Sequence, residues 1–271
     1  MRLKLYQVDA FTKELFKGNP AAVCPLDEWL SADLMQKIAA ENNLSETAFF
    51  VENNGGYEIR WFTPQSEIDL CGHATLASAF VIFEVLKASN GNTLLFKSHI
   101  SGDLHVAKDD TLIVLDFPSR KPEACSPPQE LITAIGRQPI ESLKSRDYVF
   151  VYESERDIDE IKPDFNLMAA ASDQSVIITA KGDSADFVSR FFAPGISINE
   201  DPVTGSAHCS LIPFWAERLG KNKLFARQKS ERGGELFCEL AGSRVKIGGN
   251  AVLYMEGEIN VGAEKSKITI A

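Results

Sequence analysis

Polar and apolar residues alternate from Leu3 to Val8, the period of a strand with one buried face. Lys17-Gly18-Asn19-Pro20 makes a turn, and Ala21 to Cys24 reads as a second short strand that Pro25 ends. Ser31 is placed to cap a helix running to about Asn43, with Leu34, Met35, Ile38 and Ala39 on one face. The apolar run AFFV, residues 48–51, is short enough for a buried strand, and Asn53 to Gly56 closes a hairpin into Tyr57–Phe62. Residues 73–88 are apolar on nearly every face, the pattern of a helix enclosed by other structure. Strands near 94–98, 102–107 and 112–117 complete the first half. Arg120 to Pro128 is polar, carries three prolines, and reads as a linker.

The second half repeats this order. It predicts a short helix near 129–136, strands near 148–153, 175–180 and 187–192, and a second enclosed helix at about 206–219. Pro213 removes a hydrogen bond from that helix and should kink or split it. Strand-like segments at 235–240, 244–248 and 251–256 follow. The repetition extends to single residues. Arg60, Phe62, Pro64 and Ile68 match Arg190, Phe192, Pro194 and Ile198 at one constant offset, which sets Cys71 against Asp201 and Glu46 against Val176. A three-residue insertion, Pro202–Thr204, then sets Gly72 and Ala74 against Gly205 and Ala207. An internal repeat fixes architecture. The expectation is an α+β protein of two similar lobes, residues 1–120 and 126–271, with the last strand free to cross to the first lobe.

The 271 residues, 44% hydrophobic and 24% charged, suffice for a substantial core. A net charge of −10 argues against a nucleic-acid partner, whose phosphates require a basic face. The longest largely apolar run, Ala74–Phe83, is too short to span a bilayer, and the N-terminal MRLKLYQVDAF lacks the apolar core of a signal peptide. Five cysteines at irregular positions fit free thiols in a reducing cytoplasm better than a disulfide framework. The expected protein is cytoplasmic, without a membrane or nucleic-acid partner, and acts on a small molecule.

Gly72-His73 and Gly205-Ser206 open the two enclosed helices. A helix start presents unpaired N–H groups and the positive end of a dipole, and glycine lets an anion approach closely. Lobes that face one another would bring both starts to one cleft. Glu46, between a helix end and an apolar strand, is a candidate acid/base because desolvation there raises a carboxyl pKa. A solvated glutamate at a strand edge is the plainer reading of the same residue. Asp201 in Asp-Pro is an ordinary turn signal, and His73 and His208 are ordinary structural histidines by default. Cys71-x-His73 and His208-Cys209 lack the paired spacing of a zinc site, so no metal is expected; Cys71 alone could serve as a nucleophile. Dinucleotide, P-loop, zinc-protease and serine-hydrolase motifs are absent from the sequence, and no cofactor is expected.

GNPAAV (18–23), SETAF (45–49), DLCGHAT (69–75), DPVTGSAH (201–208), RGGELFCEL and GGNAVLYMEGEI together resemble the phenazine-biosynthesis PhzF-like family. The resemblance spans nearly the whole chain. It implies the fold of diaminopimelate epimerase: two pseudo-symmetric lobes, each a curved, mostly antiparallel sheet around a central helix, with the site between them. It implies Glu46 as acid/base, assisted by His73 and Asp201, with Gly72, Gly205 and Ser206 holding the substrate. The reaction so implied is a cofactor-independent isomerisation of a small, carboxylate-bearing molecule. In diaminopimelate epimerase a cysteine from each lobe forms the acid/base pair. Here the alignment pairs Cys71 with Asp201, which puts two-base racemisation in doubt. An epimerase using Cys71 and a non-catalytic anion-binding protein are the alternatives, and family members are often dimers, which leaves a homodimer open.

Overall fold

Burial alternates along residues 56–61, 93–98, 112–117 and 223–228, while residues 148–151, 176–180 and 187–193 are buried on both faces, and the chain directions repeat between the halves. The computed structural model describes residues 1–89 and 91–262, so residues 263–271 at the end of the predicted second lobe lie outside it. The first half runs β1 (Arg2–Ala10), β2 (Asn19–Leu26), α1 (Ala32–Asn42), β3 (Glu46–Asn53), β4 (Gly56–Phe62), β5 (Glu67–Ile68), α2 (Gly72–Phe80), β6 (Thr93–Ser98), β7 (Gly102–Asp109) and β8 (Leu112–Pro118). The second half begins with β9 (Glu123–Ala124), α3 (Gln129–Ile135), β10 (Glu141–Lys144), β11 (Tyr148–Val151), α4 (Glu155–Glu160) and α5 (Phe165–Ala171). It continues through β12 (Val176–Lys181), β13 (Phe187–Ala193), β14 (Ile198–Asp201), α6 (Gly205–Leu219), β15 (Lys223–Gln228), β16 (Gly234–Ala241), β17 (Arg244–Gly249) and β18 (Ala251–Asn260).

In the first half β2 lies parallel to β3, β3 antiparallel to β4, β4 parallel to β6, and β6, β7 and β8 are antiparallel in turn. β11, β12, β13, β15, β16 and β17 follow the same sequence of directions. β8 and β17 pair with one another and join the halves into one sheet, while β18 returns to pair with β1. Each half wraps a central helix. Every residue of α2 from His73 to Ala79 is buried, as is most of α6, and both helices share one apolar core. The outer sheet faces are covered separately, by α1 on the first half and by α3, α4 and α5 on the second.

Four local readings need correction. Pro25 does not end β2: it pairs with Phe50 on β3, beyond the last β2 residue that pairs with β1, so its missing N–H costs no ladder bond on that side. Pro213 does not split α6. The carbonyl it frees, on Cys209, accepts instead from the Arg120 backbone N–H at 2.9 Å. The predicted linker 120–128 therefore staples that helix, and through β9 it also adds an edge to β10. The first enclosed helix is shorter than its apolar run, passing at Val81 into a π turn in which Leu86 N–H reaches the Val81 carbonyl.

Strand register also corrects the repeat. Arg60 grips Glu67 with Nε and Nη2 at 2.7 and 2.6 Å, and its guanidinium lies 5.2 Å from the Phe62 ring centre. Arg190 grips Glu200 in the same way, at 2.8 and 2.9 Å, over Phe192. Trp61 faces Ile68 and Phe191 faces Asp201, so Asp201 occupies the place of Ile68, and the insertion belongs in the turn after Pro194. Cys71 then corresponds to Thr204, each being the N-cap residue of its central helix. Arg60 faces Phe49 while Arg190 faces Ile178, which moves the counterpart of Glu46 from Val176 to Ser175.

Arg190 also donates Nη1 to the carbonyls of Ile158 and Ile161 at 3.0 and 2.7 Å, anchoring α4 to the sheet. Loss of so many charge-assisted bonds from a largely buried group makes Arg190→Ala destabilising by about 2–4 kcal/mol in urea melts. Arg156→Ala, which breaks an exposed i,i+4 pair with Glu160, should leave the urea midpoint nearly unchanged.

Candidate active site

Gly18 adopts φ +64°, and a Cβ there would stand 2.1 Å from the Ala10 carbonyl oxygen, so only glycine fits. That turn delivers Asn19, fully buried, to the junction of the halves. Asn19 Nδ2 donates to Asp201 Oδ1 at 2.8 Å and to the Val203 carbonyl at 2.9 Å, and lies 3.2 Å from His73 Nδ1. Cys71 Sγ lies 3.5 Å from the same ring nitrogen. The second ring nitrogen, His73 Nε2, is 3.0 Å from Glu46 Oε2. The pair is in ionic contact but out of line for a hydrogen bond, and neither atom has another aligned partner.

Glu46 is only 7% exposed, which rejects the solvated strand-edge reading. The second half contributes Asp201, whose Oδ2 accepts from the Thr204 hydroxyl. Gln228 locks this corner: its Nε2 donates to the Asp201 carbonyl at 2.8 Å and its Oε1 accepts from Thr204 N–H at 2.8 Å. Gly72 and Gly205 meet backbone to backbone, a Cβ on either coming within 3.4–3.5 Å of the other's Cα. The two helix starts thus converge, as the repeat suggested. A cavity of about 420 Å³ opens onto Glu46, His73, Asp201, Gly72, Gly205 and Ser206, bringing all six predicted residues to one wall. A larger apolar hollow of about 660 Å³ lies elsewhere, over β6–β8 and β15–β17. Two of its acids, Asp116 and Asp186, are tied to Arg244 and Lys221, and it holds no comparable buried cluster.

Burial opposes charge on His73, but the facing Glu46 carboxylate favours it, and its pKa lies well above the usual histidine value. Burial pushes the Asp201 carboxyl up to about 6, reinforced by Glu46 and opposed by His73, Thr204 and Asn19. Burial also drives the Cys71 thiol up to about 11, so it is a protonated thiol at neutral pH. Glu46, Cys71 and His73 could each offer one ligand atom within a 4.8 Å span. The thiol lies nearest Nδ1 of the imidazole and the carboxylate nearest Nε2. His208 and Cys209 do not join the site. His208 Nδ1 bonds the Thr204 carbonyl within α6, its ring lies beside Phe187, and Cys209 lies over the Gly205 carbonyl.

Sequence reasoning passed over Asn19, Thr204 and Gln228. The signal for Asn19 was present in Gly18-Asn19-Pro20, where a strained turn fixes one short amide. Nothing local marked Gln228, which reaches the site from β15.

Two sheet-wrapped helices that meet at their N-termini over buried acid and imidazole groups define the epimerase-like class of folds. A hydroxyproline epimerase from Agrobacterium vitis shares it with a TM-score of 0.60 over 95% of this chain and 92% of its own, at 9% identity, a likeness of fold alone. The chain matches the PhzC-PhzF family, described as phenazine biosynthesis-like protein, over residues 8–257, and belongs to it. The crystal structure of a PhzF family protein from Enterococcus faecalis superposes with a TM-score of 0.93 at 50% identity, covering 96% of this chain and 100% of that one. A Pseudomonas aeruginosa relative, named as an uncharacterized isomerase, is 52% identical over 96% of this chain and 100% of its own length. No helix among the described residues is long and apolar enough to cross a membrane.

The buried titrations predict opposing pH effects. His208 is pushed down to about 4 by burial, so between pH 6.5 and 4 the unfolded chain binds the extra proton and stability falls with acidification, by about 3 kcal/mol in all. Asp201 has its folded pKa raised from 3.8 to about 6, so over that window the folded state binds the proton and stability falls as pH rises. In chemical melts, His208→Gln should remove the loss on acidification, and Asp201→Asn should make that loss steeper.

Proposed function

We propose that this isomerase moves a proton within a small carboxylate-bearing substrate held in the cavity onto which the two helix starts open, with Glu46 as the acid/base. One observation carries the reading: Glu46 Oε2 and His73 Nε2 are buried, 3.0 Å apart, and unaligned, at the wall of a cavity. Buried polar atoms without aligned partners cost stability, and these two border a cavity that a ligand can enter. Glu46 takes a proton from a carbon acidified by a neighbouring π-system. The electron pair shifts into that system, and the His73 imidazolium and the N–H groups at Gly72 and Gly205 offset the developing negative charge. Glu46 then returns the proton to a different carbon, so base and acid are one group and no net proton is consumed. Asn19, held by Asp201 and the Val203 carbonyl, stands 3.2 Å from His73 Nδ1 and bounds the place of the ring.

Racemisation by Cys71 has less support. Its thiol is held protonated, and Thr204, the residue at the matching place in the other half, has no thiol. A panel of cyclic and amino carboxylates incubated in ²H₂O, with NMR detection of C–H exchange, tests the assignment. Glu46→Gln should lower exchange by about 10²–10⁴-fold while binding persists, and Cys71→Ser should retain it. Undiminished exchange in Glu46→Gln would end the assignment, and tight binding of the panel without any exchange would favour a non-catalytic receptor.

A further inference from the structure

The cleft wall is acidic. Glu46, Asp69, Asp147, Asp173 and Asp201 line it, and Arg146 is the single lysine or arginine among the described lining residues. A carboxylate entering such a cleft meets repulsion unless a fixed cation receives it. Arg146 is fixed. It occupies the tip of the three-residue turn between β10 and β11, where Lys144 pairs with Tyr148 and Ser145 N–H donates to the Asp147 carbonyl at 3.1 Å. The buried carboxylate of Asp147 holds Nε at 3.2 and 3.3 Å and Nη2 at 3.1 Å. Nη2 also donates to Ser206 Oγ at 2.9 Å, which sets the guanidinium against the first turn of α6. Nη1 makes no hydrogen bond among the described residues, and the side chain is 46% exposed. A preorganised guanidinium edge is thus presented beside a helix start, in the same cavity as the unaligned atoms of Glu46 and His73.

We propose that Arg146 is the specificity-determining residue of the cleft: it receives the substrate carboxylate through its free Nη1 edge and so selects anionic over neutral substrates. The inference rests on the reading of this cleft as a site for a small carboxylate. Asp147 and Ser206 act as positioning residues, the first neutralising part of the charge while fixing its direction, the second joining it to the α6 N-terminus. Arginine rather than lysine suits the place, because a planar fork can hold Asp147 with one edge and a ligand with another.

Equilibrium binding of benzoate, maleate and glutarate, with benzamide as the neutral control, tests this by ligand-observed NMR or calorimetry. The wild type should take at least one of the carboxylates and reject benzamide. Arg146→Gln should weaken that binding by about 10- to 100-fold, the range for loss of a charged hydrogen-bonded contact, and should flatten its dependence on ionic strength. Arg146→Lys should recover part of the affinity and the salt dependence, which a purely structural role for the turn would not produce. Unchanged binding in Arg146→Gln, equal affinity for benzamide, or no carboxylate binding to the wild type at millimolar concentration would each overturn the proposal. Glu46→Gln separates this inference from the proton-transfer reading: it should keep carboxylate affinity, and exchange surviving in it would sink the acid/base role alone.

Discussion

The side-chain amide of Asn19 lies fully buried at the junction of the two halves, and the positions of His73 and Asp201 both depend on it. An amide has two N–H protons, and Asp201 and the Val203 carbonyl take both, so the Nδ1–H of the His73 imidazolium is left to the Cys71 sulfur. That leaves the other ring nitrogen to face Glu46. The amide itself is set by the left-handed turn at Gly18, which no residue with a Cβ could make against the Ala10 carbonyl. A backbone constraint outside the cleft thereby fixes the order of groups inside it.

The duplicated scaffold brings the two helix starts together, and its departures from symmetry supply the groups on which the proposed chemistry rests. Both halves contribute a strand pair locked by an Arg-Glu fork, a glycine at the start of an enclosed helix, and the same order of strand directions. At the matched positions the chemistry differs: Glu46 has Ser175 opposite it in the repeat, Asp201 has Ile68, Cys71 has Thr204, and His73 has Ser206. A symmetric site would place equivalent bases on two faces of a substrate carbon. This one gathers one carboxylate and one imidazole from the first half, and one carboxyl pushed up to about 6 from the second. Such a set suits taking a proton from one carbon and returning it to another.

Much of this was legible in the sequence because it is periodic or repeated. The enclosed helices announced themselves by apolar residues on every face, and the converging glycines by their recurrence. What escaped the sequence was decided by register and by long-range contacts. A turn inserted after Pro194 rather than after Asp201 leaves the local pattern nearly unchanged, yet it reassigns the counterpart of Cys71. Pro213 was misread because the group that rescues its freed carbonyl, Arg120 N–H, belongs to a stretch that looked like a linker. The π turn at Val81 and the strand β10, whose four residues are all half-buried, leave little mark in hydropathy. Gln228 and Arg146 reach the site from a strand end and a hairpin tip, where one polar residue resembles any other.

The central claim is that a single carboxylate both removes and returns the proton. It is tested most directly on the first carboxylate found to turn over, by labelling the migrating C–H with deuterium and following the label in water at low conversion. One-group transfer predicts that part of the deuterium reappears at the new carbon, and that Glu46→Gln abolishes the transfer. Complete replacement by solvent hydrogen, with turnover persisting in Glu46→Gln, would contradict the account.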